Sequence, residues 1–176
     1  FIYLRFISMD MEKKLYLIDG HALVFKMYYA FLRRPMINSK GVDTSILFGF
    51  TKYILELIER EKPTHFAVAF DPPGGTFRHE MYPEYKAQRE ACPEDIKKSV
   101  PIIKDILHAM RIPVLEMSGY EADDVLGTIA GIAEKNGMQV SIISGDRDLL
   151  QLATETVQIR IPKTKKGGPC GSPSSV

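Results

Sequence analysis

The sequence predicts an α/β fold with a mostly parallel central sheet flanked by helices. Short apolar runs, typical of buried strands, alternate with longer segments whose apolar residues have helical spacing. Acidic residues come directly after several of these runs, as Asp19 follows residues 15–18 and Asp71 follows residues 66–70. Because ligands of parallel α/β sheets bind beyond the carboxyl ends of the strands, this pattern also indicates where a functional site would lie.

The first half of the chain contains two predicted strands and two predicted helices. Residues 15–19 form the first strand, and segments of helical spacing follow at residues 22–32 and Ser45–Glu61. In the second of these helices one side is apolar, with Ile46, Phe50, Ile54, Leu57 and Ile58. Residues 65–70 are the second buried strand.

An irregular stretch at residues 71–93 interrupts the alternation of strands and helices. It contains prolines and glycines, with aromatic and charged residues between them. Long irregular stretches inside a compact domain are usually functional or mobile, so we expect this one to take part in the function.

The second half of the chain returns to alternating helices and strands. Residues 94–110 are a helix in which Pro101 marks a kink or a late start. Residues 114–117 are a short strand, and residues 121–136 are a helix that Gly137 closes. The last three elements are a strand, a short helical piece and a strand at residues 139–144, 149–153 and 157–161.

The length of 176 residues suits one domain with a sizeable core. We interpret residues 11–163 as that domain and residues 1–10 as an extension outside its core, with Met9 or Met11 as a plausible start. Residues 164–176 are interpreted as a disordered tail, because residues 167–176 are rich in glycine, serine and proline.

Composition narrows the class of protein only broadly. The chain is 45% hydrophobic and 26% charged, as is ordinary for a soluble globular protein. Its net charge of +1 argues neither for nor against nucleic-acid binding, because a cluster of acids at a site would cancel the charge of basic residues elsewhere. Cys92 and Cys170 form no CxxC motif, which argues against zinc and favours a reducing cytoplasm. No apolar run approaches the roughly 20 residues that span a bilayer, so no membrane partner is expected.

Acidic residues from four segments are predicted to meet at the carboxyl edge of the sheet. Each could cap a helix, but together they would repel one another unless cations lay among them. Oxygen ligands favour Mg²⁺ or Mn²⁺, and one or two such ions would suit phosphodiester hydrolysis. The candidate ligands are Asp19, Asp71, Glu121, Asp123, Asp124, Asp146 and Asp148.

No nucleophile–histidine arrangement competes with this hypothesis. The histidines are scattered along the chain, and we interpret each as a packing or solvent-facing residue: His21, His65, His79 and His108.

A set of motifs supports a more specific interpretation. LIDGH stands at residues 17–21, AFD at 69–71, FRHE at 77–80, YKAQR at 85–89, GYEADD at 119–124 and GDRD at 145–148. Together they resemble the 5′–3′ exonuclease domain of bacterial DNA polymerase I, which belongs to the flap endonuclease group of PIN-like nucleases. The resemblance runs from about Lys14 to Pro162 and implies a PIN-like core with an arch-like insertion.

The resemblance implies a metal-dependent, structure-specific 5′–3′ exonuclease and flap endonuclease. Such an enzyme hydrolyses phosphodiester bonds in DNA, and in RNA primers, during replication and repair. The metal-binding acids of the family map onto the same seven acidic residues, and Lys86 joins them as a catalytic residue. The implied partners are DNA with a 5′ single-stranded flap and RNA/DNA primer hybrids. The implied setting is a monomer in the bacterial cytoplasm, associated with the nucleoid. The resemblance is also compatible with a parent protein in which this domain is fused to a polymerase domain.

The family's arch, which threads or clamps the single-stranded 5′ end, maps onto residues 71–93 and the helix that follows. Within it Arg78, Lys86 and Arg89 would meet phosphates, and Tyr82 or Tyr85 would stack on a base. The sequence also departs from the family pattern, because further aspartates and a helical hairpin that grips duplex DNA do not occur before the tail. We therefore expect a weak second ion and weak duplex binding.

Two other functions remain open. One is a catalytically silent DNA-binding fragment, which the missing aspartates and hairpin favour. The other is a PIN-type ribonuclease acting on single-stranded RNA, against which the motifs at residues 77–89 argue, because they match the replication-associated branch.

Overall fold

The computed structural model describes residues 12–74, 76–82, 84–85 and 92–162. The extension predicted at residues 1–10 and the tail predicted at 164–176 lie outside these residues. The strands are β1 (Lys14–Asp19), β2 (His65–Ala69), β3 (Val114–Leu115), β4 (Gln139–Ile143) and β5 (Val157–Arg160). The α-helices are α1 (Gly20–Phe31), α2 (Ser45–Glu61), α3 (Phe77–Met81), α4 (Glu94–Ala109) and α5 (Ala122–Lys135). A 3₁₀ helix spans Arg147–Leu152.

The strands form one sheet in the order β3-β2-β1-β4-β5, and every neighbouring pair is parallel. β1 therefore lies at the centre, between β2 and β4. The predicted α/β class with a parallel sheet and flanking helices is confirmed. No helix in the described part of the chain is long and apolar enough to cross a membrane.

Alternate side chains of β1 supply the two halves of the core, as expected for a strand whose successive residues face opposite sides. Ile18 packs into a cluster with residues of α1, α2 and α4, among them Phe50 and Leu107. Leu17 packs on the other side with α5, where Leu126 is fully buried. Helices thus cover both faces of the sheet. Because its strands are parallel, their carboxyl ends all lie at one edge.

Three local features differ from the sequence-based expectation. The stretch expected to be irregular contains the short helix α3. α4 begins at Glu94 and continues through Pro101, so the alternative of a late start at that proline is wrong. Its first turn is closed by Ile96 and Lys97, whose N–H groups donate to the carbonyl of Pro93. β3 has only two residues, because pairing with β2 is limited to Val114 and Leu115.

A polar cluster on one face of the sheet ties together three elements that are distant in sequence. The hydroxyl of Tyr16 donates to Oε2 of Glu61 at 2.8 Å, and Arg160 lies 3.1 Å from the same oxygen. Arg60 donates to Oε1 at 2.9 Å. Although burial raises the pKa of Glu61, hydrogen bonds from Tyr16, Arg60 and Arg160 hold it at about 2. β1, α2 and β5 are therefore linked through one ionised carboxylate.

We predict that Glu61→Gln lowers the free energy of unfolding by about 1–2 kcal/mol at pH 7. The folded pKa lies below the ordinary value of 4.5, so this contribution is complete above about pH 4.5 and is lost as the pH falls toward 2. Urea unfolding of parent and variant from pH 7 to pH 3 measures it, with Glu59→Gln on the exposed side of α2 as the control. A difference between parent and variant that did not shrink at low pH would contradict the assignment.

Candidate functional site

The site begins at the end of the central strand, where Asp19 is 7% exposed. Its Oδ1 accepts a hydrogen bond from the N–H of Ala22 at 2.9 Å and so caps α1. Its Oδ2 accepts one from the hydroxyl of Ser144 at 2.6 Å. Burial raises the pKa of Asp19, while these two hydrogen bonds favour its charged form. The next residue must be small, because a Cβ on Gly20 would lie 2.5 Å from the ring of Phe70.

Ser144 connects the ends of β1 and β4. Besides donating to Asp19, its oxygen accepts the N–H of Asp146 at 3.0 Å, and the side chain is 2% exposed. Oδ1 of Asp146 in turn accepts the N–H of Asp148 at 2.9 Å and starts the 3₁₀ helix. Sequence reasoning did not single out Ser144. The available signal was a hydroxyl directly after a buried strand and two residues before an aspartate.

Asp71 follows β2 and reaches the start of α5. Its Oδ1 accepts the N–H of Ala122 at 2.7 Å. The N–H of Asp71 donates to Nδ1 of His21 at 3.2 Å, and the imidazole packs edge-on against Phe70. Burial lowers the pKa of His21, against the opposing charges of Asp71 and Asp19. His21 therefore belongs to the site as well as to the packing beneath it, which the sequence did not indicate.

The first turn of α5 brings further acids to the same edge. Glu121 is the N-cap residue and is 8% exposed. The pKa of Asp123 is raised to about 6, first by burial and then by the charges of four acids: Asp19, Asp146, Asp71 and Glu121. The predicted convergence at the edge is thus visible in the electrostatics of one side chain, which interacts with acids delivered by β1, β2, β4 and the N-cap of α5.

Part of the irregular stretch packs on this turn. Arg78 of α3 donates two hydrogen bonds to the carboxylate of Asp124, at 2.6 and 2.8 Å. The hydroxyl of Tyr85 donates to Oε2 of Glu121 at 3.2 Å. Both side chains were expected to meet DNA, and here they meet acids of α5. Tyr82 is 61% exposed, whereas Lys86 and Arg89 lie outside the described residues.

The acids are gathered without forming a closed ligand cage. Within the described ranges, no three His, Cys, Asp or Glu side chains are arranged so that they could hold a metal ion. One oxygen each of Asp19, Asp71 and Asp146 accepts a backbone N–H at a helix start, and both oxygens of Asp124 accept from Arg78. Like charges also separate unless a cation joins them.

The fold and this edge define the class of protein. A parallel α/β sheet with acidic residues at the carboxyl ends of β1, β2 and β4, and at the helix start after β3, has the architecture of resolvase-like nuclease domains. A family model described as the 5′-3′ exonuclease, N-terminal resolvase-like domain matches residues 14–169. The chain belongs to this family.

Curated relatives agree with the family model. The chain is 44% identical over 158 residues to DNA polymerase I of Bacillus caldotenax, covering 89% of this chain and 17% of that protein. It is 41% identical over 150 residues to a 5′-3′ exonuclease of Aquifex aeolicus, covering 85% of this chain and 51% of that protein. The chain therefore spans about half or less of the length of these relatives.

A solved structure agrees on the fold. The bacteriophage T5 flap endonuclease, in a pseudo-enzyme-product complex with DNA and metal ions, superimposes with a TM-score of 0.61 at 21% identity. The alignment covers 85% of this chain and 55% of that one.

We predict that Asp123→Asn stabilises the metal-free protein at pH 7 by about 1–2 kcal/mol, which is less than the full value of about 1.4 kcal/mol per pKa unit because solvent screens the charge of this partly exposed side chain. The folded pKa of about 6 lies above the ordinary 3.8, so the parent loses stability as the pH rises from about 3.8 to 6. The gain should therefore vanish below about pH 3.8. Denaturant unfolding in a chelator measures it, with the exposed Asp95→Asn as control. A variant less stable than its parent at pH 7 would refute the crowding of these acids.

Proposed function

We propose that this chain is a metal-dependent, structure-specific 5′–3′ exonuclease and flap endonuclease domain that hydrolyses phosphodiester bonds in DNA. The observation that carries the proposal is the gathering of acids from separate elements at the carboxyl edge of the sheet, where Ser144 contacts both Asp19 and Asp146 and the N–H of Ala122 contacts Asp71. Burial and these acids together raise the pKa of Asp123. Membership of the 5′–3′ exonuclease family supports the reaction, and we take residues 11–163 as the domain that performs it.

The donor set fits a divalent cation. The side chains at the edge offer only carboxylate oxygens, the ligands preferred by Mg²⁺ and Mn²⁺. The raised pKa of Asp123 shows a negative field that a divalent ion would offset. We propose as ligands the acids that act on Asp123, together with Asp123 itself: Asp19, Asp71, Glu121, Asp123 and Asp146. Asp148, two residues after Asp146, would complete the set for one or two ions.

An ion bound there supplies positive charge and Lewis acidity to a phosphodiester undergoing hydrolysis. The protein's own residues provide the rest. Ser144 and the N–H of Ala22 favour the charged form of Asp19 and fix the direction of its carboxylate. His21 and Ala122 hold Asp71 from both sides, through its backbone and its carboxylate. The ligands would therefore be oriented before substrate arrives, which limits the reorganisation required during the reaction.

The substrate we propose is DNA with a 5′ single-stranded flap, with RNA/DNA primer hybrids as a second substrate. The structure of the T5 enzyme is described as a complex with DNA and metal ions. We propose Lys86, Arg89 and Tyr82 as DNA contacts, with Lys86 also a catalytic residue. We propose that the domain acts as a monomer in the bacterial cytoplasm, alongside a polymerase domain where the parent protein carries one.

Cleavage of a labelled 5′-flap duplex tests the activity. The chain should cleave it in Mn²⁺ or Mg²⁺ and not in a chelator. The double substitution Asp71→Asn with Asp146→Asn should lower the rate at least about 100-fold, since loss of even outer partners of metal ligands costs 10–100-fold. Asp95→Asn with Asp105→Asn on the exposed side of α4 is the matched control. Cleavage that persists in chelator, or a silent chain with normal metal binding, would refute the proposal.

Metal binding is tested separately from activity. Millimolar Mg²⁺ or Mn²⁺ should raise the melting temperature, because an ion at about 100 times its dissociation constant stabilises the folded state by about 2.7 kcal/mol. The same two double variants are compared by thermal unfolding. The Asp71→Asn, Asp146→Asn protein should lose the response and melt higher than the parent in chelator, as repulsion is relieved. An unchanged response in that variant would exclude these ligands.

A further inference from the structure

The contact between α3 and the start of α5 has a geometry that suggests a role for each partner. The N–H of Phe77 donates to the carbonyl of Gly119 at 2.9 Å, and Gly119 has a φ of +83°, a backbone conformation suited to glycine. The rings of Phe77 and Tyr120 lie 5.6 Å apart. Arg78 stacks on the ring of Phe77, with its guanidinium carbon 4.6 Å from the ring centre. The stacking on Phe77 therefore holds the guanidinium in place in addition to its contact with an acid.

Asp124 uses both of its oxygens in this contact. Nη2 of Arg78 donates to Oδ1 at 2.8 Å and Nη1 donates to Oδ2 at 2.6 Å, which is the two-pronged geometry of a strong, charge-assisted pair. Oδ2 also accepts the backbone N–H of Glu121 at 3.0 Å. The carboxylate thus joins α3 to the residue that caps α5, and the pKa of Arg78 is raised chiefly by its hydrogen bond to Asp124.

Glu121 is the residue on which these contacts converge. Nη1 of Arg78 lies 3.8 Å from Oε2 of Glu121, and the hydroxyl of Tyr85 donates to the same oxygen at 3.2 Å. The backbone of Glu121 is held by Asp124, and one side-chain oxygen is held from the direction of the irregular stretch. The direction of this buried carboxylate therefore depends on the positions of Arg78 and Tyr85.

We infer that Arg78 and Asp124 form a positioning pair that orients Glu121 at the metal site. Asp124 acts on the cation only through Glu121, and Arg78 serves the site from within the protein instead of holding a phosphate. The inference rests on the proposed function, because Glu121 is one of the proposed ligands. It also assigns Arg78 and Asp124 roles that differ from those expected from their motifs.

Lysine cannot replace arginine in this pair. An ammonium group is a single point charge and cannot span both oxygens of Asp124 as the planar guanidinium does. Arg78→Lys therefore keeps the positive charge available to DNA and removes the positioning geometry. This substitution separates the two roles of the residue.

The experiment measures Mn²⁺ binding to the DNA-free chain by calorimetry for the parent, Arg78→Lys, Asp124→Asn and the double variant. Each single substitution should weaken binding about 10–100-fold, as outer partners of metal ligands do. The double variant should be no weaker than the weaker single variant, because both act through one contact. Lys98→Ala, at an exposed position of α4, is the control. Circular dichroism verifies that every variant is folded. On flap DNA, kcat should fall while KM changes little.

Four outcomes would overturn the inference. Unchanged Mn²⁺ binding in Arg78→Lys, with a raised KM for flap DNA, would make Arg78 a phosphate contact. Loss of binding in Asp124→Asn alone would make Asp124 a ligand. A folded parent that binds no Mn²⁺ would overturn the proposed function and this inference with it. Variants that all bind Mn²⁺ as tightly as the parent would overturn the inference alone.

Discussion

The buried carboxylate at the end of the central strand is the constraint around which the rest of the structure is arranged. Asp19 follows two fully buried residues and is itself 7% exposed, so its charge must be compensated by the protein. The first turn of α1 supplies one donor, and the strand on the other side supplies the hydroxyl of Ser144. The same hydroxyl then fixes the backbone of Asp146. Placing one charge at this edge therefore determines how the neighbouring strand ends, and hence where the next acids lie.

Compensation of the negative charge of the acids at this edge is incomplete. Helix starts and hydroxyls satisfy individual oxygens, but the summed negative charge still raises the pKa of Asp123. The cation that the described residues bring nearest is Arg78, which pairs with Asp124 and approaches Glu121. The guanidinium of Arg78, held by α3, thus partly balances the negative charge of the acids of α5. The position of α3 therefore affects the electrostatics of the site.

The sequence was sufficient for the architecture because the relevant signals are local. Apolar periodicity predicted the strands and helices, and the acids after β1, β2 and β4 predicted a site at the carboxyl edge. The partners of the site residues were not predictable in this way. Ser144 meets Asp19 across 125 positions and His21 meets the backbone of Asp71 across 50, so no spacing rule connects them. The motif around Arg78 predicted a contact with DNA. The contact of its guanidinium with Asp124 was not predictable, because nothing in a linear sequence shows which acid the side chain faces.

Two carboxylates of this protein differ in how their surroundings treat the negative charge. Glu61 is surrounded by donors from Tyr16, Arg60 and Arg160, and its pKa falls to about 2. Asp123 is surrounded by other acids, and its pKa rises to about 6. The first arrangement lowers the free energy of the folded state and requires nothing further. The second raises it, and a fold retains such a cost most readily where a ligand of opposite charge removes it. The contrast lies within one small domain, and it is the physical reason for our proposal that the function lies at the edge of the sheet that holds Asp123.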